Sequence, residues 1–81
     1  MFTGNDNYGR PKSDYLTRIK QMSDETLGRE CYDMIFHAAR CANNHRADWH
    51  WMVDACWSEC KERGSLGTYK KAFSQCVADH T

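Results

Sequence analysis

From Asp24 to about Ala42 the apolar residues fall at Leu27, Cys31, Met34, Ile35, Ala38, Cys41 and Ala42. That three-to-four spacing is the period of an amphipathic α-helix, because successive residues advance by about 100° around the axis. Ser23 precedes the run as an N-cap, with Asp24 and Glu25 in the positive first turn. Thr26 stands at the third position, where a full capping box would place Glu or Gln. Gly28 lies at the edge of the stripe and costs about 1 kcal/mol relative to Ala in a helix, so its expected role is to let another helix come close. Tyr32 and Phe36 lie off the stripe beside Arg29, Asp33 and Arg40 and need a cover of their own.

A second helical pattern runs through DWHWMVDACWSECKERG, Asp48 to Gly64, which carries all three tryptophans and two of the five cysteines. On a helix over Asp48–Arg63, Trp49, Met52, Val53, Cys56, Trp57 and Cys60 gather on one side, the predicted core face. The opposite side carries Asp48, Asp54, Ser58 and Glu62, with Trp51 and Ala55 among them. Trp51 has two readings there, as a ring packed under another segment or as an anchor for a partner protein. Gly64 follows Lys61, Glu62 and Arg63 as a C′ glycine and marks the stop.

The remaining segments are shorter. Ser13 is the expected N-cap of a short helix to about Met22 that buries Tyr15, Leu16, Ile19 and Met22. A last helix is expected over Leu66–Asp79, burying Leu66, Tyr69, Ala72, Phe73, Cys76 and Val77 and exposing Lys70, Lys71, Ser74 and Gln75. Asn43 and Asn44 break the pattern between the second and third helices, so these are expected to be antiparallel neighbours. Residues 1–13 (MFTGNDNYGRPKS) hold two glycines, the only proline and almost no periodic apolar positions. They form an irregular arm, either a loose tail or a segment ordered through Phe2, Tyr8, Arg10 and Lys12. The expected fold is an all-α bundle domain over residues 14–81, with three main helices preceded by the short one.

Composition narrows the function classes. Eleven Lys and Arg balance eleven Asp and Glu, so no global field draws the chain to nucleic acid or an anionic membrane surface. Its apolar runs are far shorter than the ~20 residues that span a bilayer, and the first residues lack the apolar core of a signal peptide. This predicts a cytoplasmic protein. Five cysteines are an odd number without an export signal, so free thiols are expected. Cys31 and Cys41 have the spacing of one half of a mitochondrial coiled-helix disulfide motif, but Cys56 and Cys60 do not repeat it.

Three kinds of chemistry are open to these residues. His37 with Cys41 and Cys56 with Cys60 are i,i+4 pairs on helices expected to be antiparallel, a set that suits one tetrahedral zinc. Against it, such sites usually use a tight knuckle, and buried cysteines commonly serve as small hydrophobes. His45 and His50 make a looser set. No phosphate loop, dinucleotide glycine motif, zinc-protease helix or nucleophile elbow occurs, and Glu59 and Glu62 are expected on a solvated face, so no enzyme and no cofactor are predicted. Arg10, Lys12, Arg18 and Lys20, interleaved with Tyr8 and Tyr15, form the best local patch for nucleic acid. The neutral chain and the Asp48 start of its central helix argue against that use.

The stretch Asp48–Gly64, with the upstream YLTRIKQMSDETL, resembles short proteins encoded by tailed bacteriophages. The resemblance implies an accessory protein that binds a host protein and inhibits or redirects it in the host cytoplasm. The residues agree with a non-enzymatic protein-binding module that acts by occlusion. Two contact patches are expected: Trp51 with Asp54, Ala55 and Ser58, and Tyr32 and Phe36 with Arg29 and Arg40. A zinc-stabilised or nucleic-acid-binding helical domain is the alternative, and a homo-oligomer joined through the same aromatics is another.

Overall fold

The Ser23 hydroxyl accepts the Thr26 amide at 3.2 Å and its carbonyl takes the Leu27 amide at 2.8 Å, so the capped helix begins where the stripe predicts. The computed structural model describes residues 2–80 and contains α1 (Lys12–Lys20), α2 (Asp24–Arg40), α3 (Asp48–Glu62) and α4 (Leu66–His80). No strand occurs among the described residues, and Asn5 and Pro11 form an isolated bridge. The small all-α bundle is therefore present, with α1 as a fourth packed helix. Among the described residues no helix is long and apolar enough to cross a membrane.

α1 starts ahead of the expected cap at Ser13. Pro11 holds the N-cap position at φ −60° and ψ 133°, and no side chain caps it. The Lys12 amide instead donates to the Gly4 carbonyl at 3.0 Å, so the arm satisfies the helix start. α3 ends in a Schellman turn: the Ser65 amide reaches the Cys60 carbonyl at 2.8 Å and the Gly64 amide reaches Lys61 at 3.0 Å. Gly64 sits at φ 72°, which a side chain would strain. This tight turn joins α3 and α4 into a hairpin whose two helices pack together.

α2 packs against both α3 and α4, which also pack together, while α1 lies against α3. The buried set is Tyr15 and Ile19 of α1, Leu27, Cys31, Met34 and Ile35 of α2, Ala55, Cys56 and Cys60 of α3, and Ala72 and Cys76 of α4. Small side chains dominate this seam outside α2. The Cys31 and Cys60 sulfurs lie 3.8 Å apart, and a Cβ on Gly28 would stand 3.4 Å from Thr68 Cγ2, so the expected close approach at Gly28 is made by α4.

Burial corrects several expected faces. Ala55, expected outward, is 1% exposed, whereas Trp57, expected in the core, is 40% exposed. Phe73 and Val77 were expected inside and are 49% and 45% exposed. A short interaxial distance is set by the smallest side chains at the contact. Ala55, Cys56 and Cys60 fill the buried face of α3, and the bulkier Trp57 lies outside it, where Lys61 Nζ lies 5.1 Å from its ring.

One charged residue joins three helices. Arg63 Nε donates to Glu59 at 2.8 Å, one terminal nitrogen to Asp24 at 3.0 Å, and the other to the Ile19 and Lys20 carbonyls at 3.0 and 3.1 Å. Glu59, expected on a solvated face, is 8% exposed and paired in this way. The guanidinium also closes the C-terminal carbonyls of α1, where a cation is favoured. No buried side-chain nitrogen or oxygen among the described residues lacks a hydrogen-bond partner.

Candidate partner-binding site

The arm is an ordered loop fastened to α3. The Asp6 carboxylate accepts the Tyr8 and Arg10 amides, both at 2.9 Å, and the Asp6 amide donates to the Arg10 carbonyl at 2.7 Å. Asn7 then reaches the start of α3: its amide donates to the Asp48 carboxylate at 3.2 Å and its side-chain nitrogen to the Arg46 carbonyl at 2.6 Å. Asp48 also accepts Trp51 Nε1 at 2.9 Å. One carboxylate in the first turn of α3 thus fixes both the arm and the indole.

Between the arm, α1 and the beginning of α3 lies an open cleft of about 580 Å³. Tyr15 and Trp51 form part of its wall, edge to face with centroids 5.5 Å apart. Lys12 Nζ stands 5.1 Å from the Trp51 ring, Arg18 5.0 Å from Tyr15, and Arg10 5.7 Å from Tyr8. Such cation–π placements hold the long side chains against rings and leave their charged ends at the rim. Tyr8, at the mouth, is 81% exposed.

The structure redistributes the expected contact residues. Trp51 is half-buried and lines the cleft, so its covered face is explained by Tyr15 and Lys12 of α1. Asp54 is exposed and Ser58 half-buried, but Ala55 lies in the core and offers no contact surface. The second patch meets the end of α4. Tyr32 donates to Asp79 at 2.6 Å, and the Phe36 ring lies 4.6 Å from His80, with Arg40 over it at 5.5 Å. Arg29 pairs with Glu25 at 2.7 Å and borders a groove of about 650 Å³ between α2 and α4.

The zinc set is not brought together. His37 stacks on Trp49 at 4.5 Å, whereas Cys56 and Cys60 converge with Cys31. Cys56 also meets the Tyr15 hydroxyl at 3.3 Å. His50 of the looser set contacts the Cys41 and Asn44 carbonyls, both at 2.9 Å, and staples the α2–α3 connection. Among the described residues no group of three or more His, Cys, Asp or Glu is arranged to hold a metal ion.

The basic patch is partly neutralised from within. Arg10 lies 3.9 Å from Asp6 and Arg18 3.5 Å from Glu30, and the cleft wall adds Asp14 and Asp48. Burial is the main cause that pushes the Tyr15 phenol well above its ordinary range, and the neighbouring Cys56 adds to it. Tyr15 therefore stays protonated and donates to Glu30 at 2.7 Å.

Sequence reasoning missed Asp48 and Asn7 as the link that builds this cleft. Asp48 looked like an ordinary first-turn carboxylate, and a bond spanning 41 residues leaves no periodic trace. Tyr8 and Arg10 did stand out as an aromatic and a cation in an otherwise polar arm. No protein-family model, curated protein or solved structure matches the chain.

Proposed function

We propose that the chain is a non-enzymatic protein-binding module whose contact site is the cleft between the arm, α1 and α3. The observation that carries this reading is the grouping of Tyr8, Tyr15 and Trp51 beside the guanidinium and ammonium groups of Arg10, Arg18 and Lys12. Aromatic and arginine side chains are the residue types that concentrate binding energy in protein interfaces. The partner places an apolar side chain against Trp51 and Tyr8, while the mixed rim of Arg10, Arg18 and Asp14 sets its orientation. The resemblance to short phage proteins supports a host protein as target, in the host cytoplasm, and occlusion as the mode of action.

The test uses Tyr8→Ala and Arg10→Glu, both at exposed positions, with circular dichroism to verify the helical content. Each variant and the wild type are immobilised and exposed to bacterial lysate, and retained proteins are identified by mass spectrometry. The expected result is one protein held by the wild type and lost by at least tenfold from both variants. Equal retention by the variants moves the contact elsewhere and removes the reading. Retention of nucleic acid in a salt-dependent manner would favour the nucleic-acid alternative.

A further inference from the structure

The hairpin of α3 and α4 carries a second surface that the cleft does not involve. Trp57 and Phe73 stand eight residues before and eight after Ser65, each in the middle part of one of two helices that pack together. They are 40% and 49% exposed, and Val77, one turn beyond Phe73, is 45% exposed. Grouped apolar exposure of this kind on a small domain marks an interaction surface.

Charge around Trp57 identifies the occupant. Asp54, Trp57, Ser58 and Lys61 fall within an arc of about 100° on α3. Asp54 stands one turn before Trp57 and Lys61 one turn after it, and neither is in an ion pair among the described residues. When two copies of α3 cross antiparallel at Trp57, each Asp54 faces Lys61 of the other copy. A parallel crossing would set Asp54 against Asp54 and Lys61 against Lys61. The pattern is thus self-complementary in one orientation, as a two-fold contact between identical surfaces requires.

One further quantity agrees. Formal neutrality removes long-range repulsion between copies.

We propose that this α3–α4 face, centred on Trp57 and Phe73, docks a second copy of the chain, with α3 crossing its counterpart antiparallel and Asp54 pairing with Lys61 across the two-fold axis. The experiment is sedimentation equilibrium over a concentration series, with circular dichroism on every variant. The wild type is expected to pass from 9.5 kDa to twice that mass as concentration rises. Asp54→Lys places like charges at both ends of the contact and is expected to raise the dissociation constant by more than about tenfold. The double variant Asp54→Lys/Lys61→Asp exchanges the two signs and is expected to restore the dimer. A wild type that stays at 9.5 kDa overturns the proposal, even if Trp57 then proves to contact some other protein. A dimer indifferent to Asp54→Lys, or a double variant that is not rescued, overturns it equally.

Discussion

The Tyr15 ring meets the Trp51 indole edge to face, with centroids 5.5 Å apart and planes at 89°. Trp51 is held on its other sides by Asp48 and Lys12, so the residue that borders the cleft also supports the fold. Trp51→Ala is expected to cost about 2 kcal/mol, less than a fully buried Trp because the ring is only half-covered. Urea unfolding measures this. A free surface anchor would leave the midpoint unchanged.

Arg63 supplies five donors in a planar fork, and four acceptors from three helices use them. Arg63→Ala leaves Glu59 nearly buried without its partner and uncovers the end of α1, so a loss of about 2 kcal/mol is expected. Arg63→Lys should recover less than half, because one ammonium does not span the same acceptors. Chemical denaturation midpoints of the three proteins give the comparison.

The Tyr32–Asp79 hydrogen bond imposes a pH window on the last turn of α4. Hydrogen bonds from Tyr32 and Gln75 hold the Asp79 carboxyl below its ordinary 3.8, and the bond to Asp79 chiefly pushes the Tyr32 phenol from 10.0 to about 12. A carboxyl with a depressed folded value contributes stability that is present above 3.8 and is lost as pH falls through that lower value. A phenol with a raised folded value contributes stability that is present below 10.0 and is lost as pH rises through about 12. Denaturation midpoints measured at a series of pH values should therefore fall on both sides of this window, and Tyr32→Phe should flatten both limbs. A profile identical in the variant would remove the bond from the account.

Thiol reactivity should divide the cysteines by burial. Cys31, Cys56 and Cys60 are 0% exposed and Cys76 is 5%, while Cys41 at the end of α2 is half-buried. The reacting species is the thiolate. Its hydrogen bond to Cys56, and then burial, push the Cys31 thiol up, and burial raises Cys60 and Cys76; Cys56 is lowered, chiefly by the same bond to Cys31, and is shielded by its complete burial alone. A thiol-modifying reagent is expected to label Cys41 at least tenfold faster than the other four, and Cys41→Ser should abolish the fast phase. Several fast thiols in folded protein would contradict the sulfur-lined seam.

The helices were legible because local chemistry decides them. Ser23 and Gly64 act as the cap and the stop that the sequence announces, and Leu27, Cys31, Met34 and Ile35 of the α2 stripe form its buried face, while Ala42 lies past the helix end and is exposed. Orientation was less legible, because a helical wheel weights large apolar rings, whereas the packing seam selected Ala55, Cys56 and Cys60. Trp57, Phe73 and Val77 were therefore assigned inward and Ala55 outward. The expected patch at Tyr32 and Phe36 could not anticipate Asp79 and His80, because the pairing of α4 with α2 is a tertiary choice. Trp51 was legible as an anomaly, and what covers it was not.

The arm closes on α3 through a bond between Asn7 and Asp48, 41 residues apart in the chain. Closing so long a loop costs entropy that turns and neighbouring helices do not incur. The arm is therefore expected to be the first part to peel away when the protein opens locally, and the Asn7 and Lys12 amides should exchange faster than those of the α2–α3–α4 core. On that expectation the cleft has a shorter lifetime than the bundle that carries it: a chain can be fully helical and still lack the cleft.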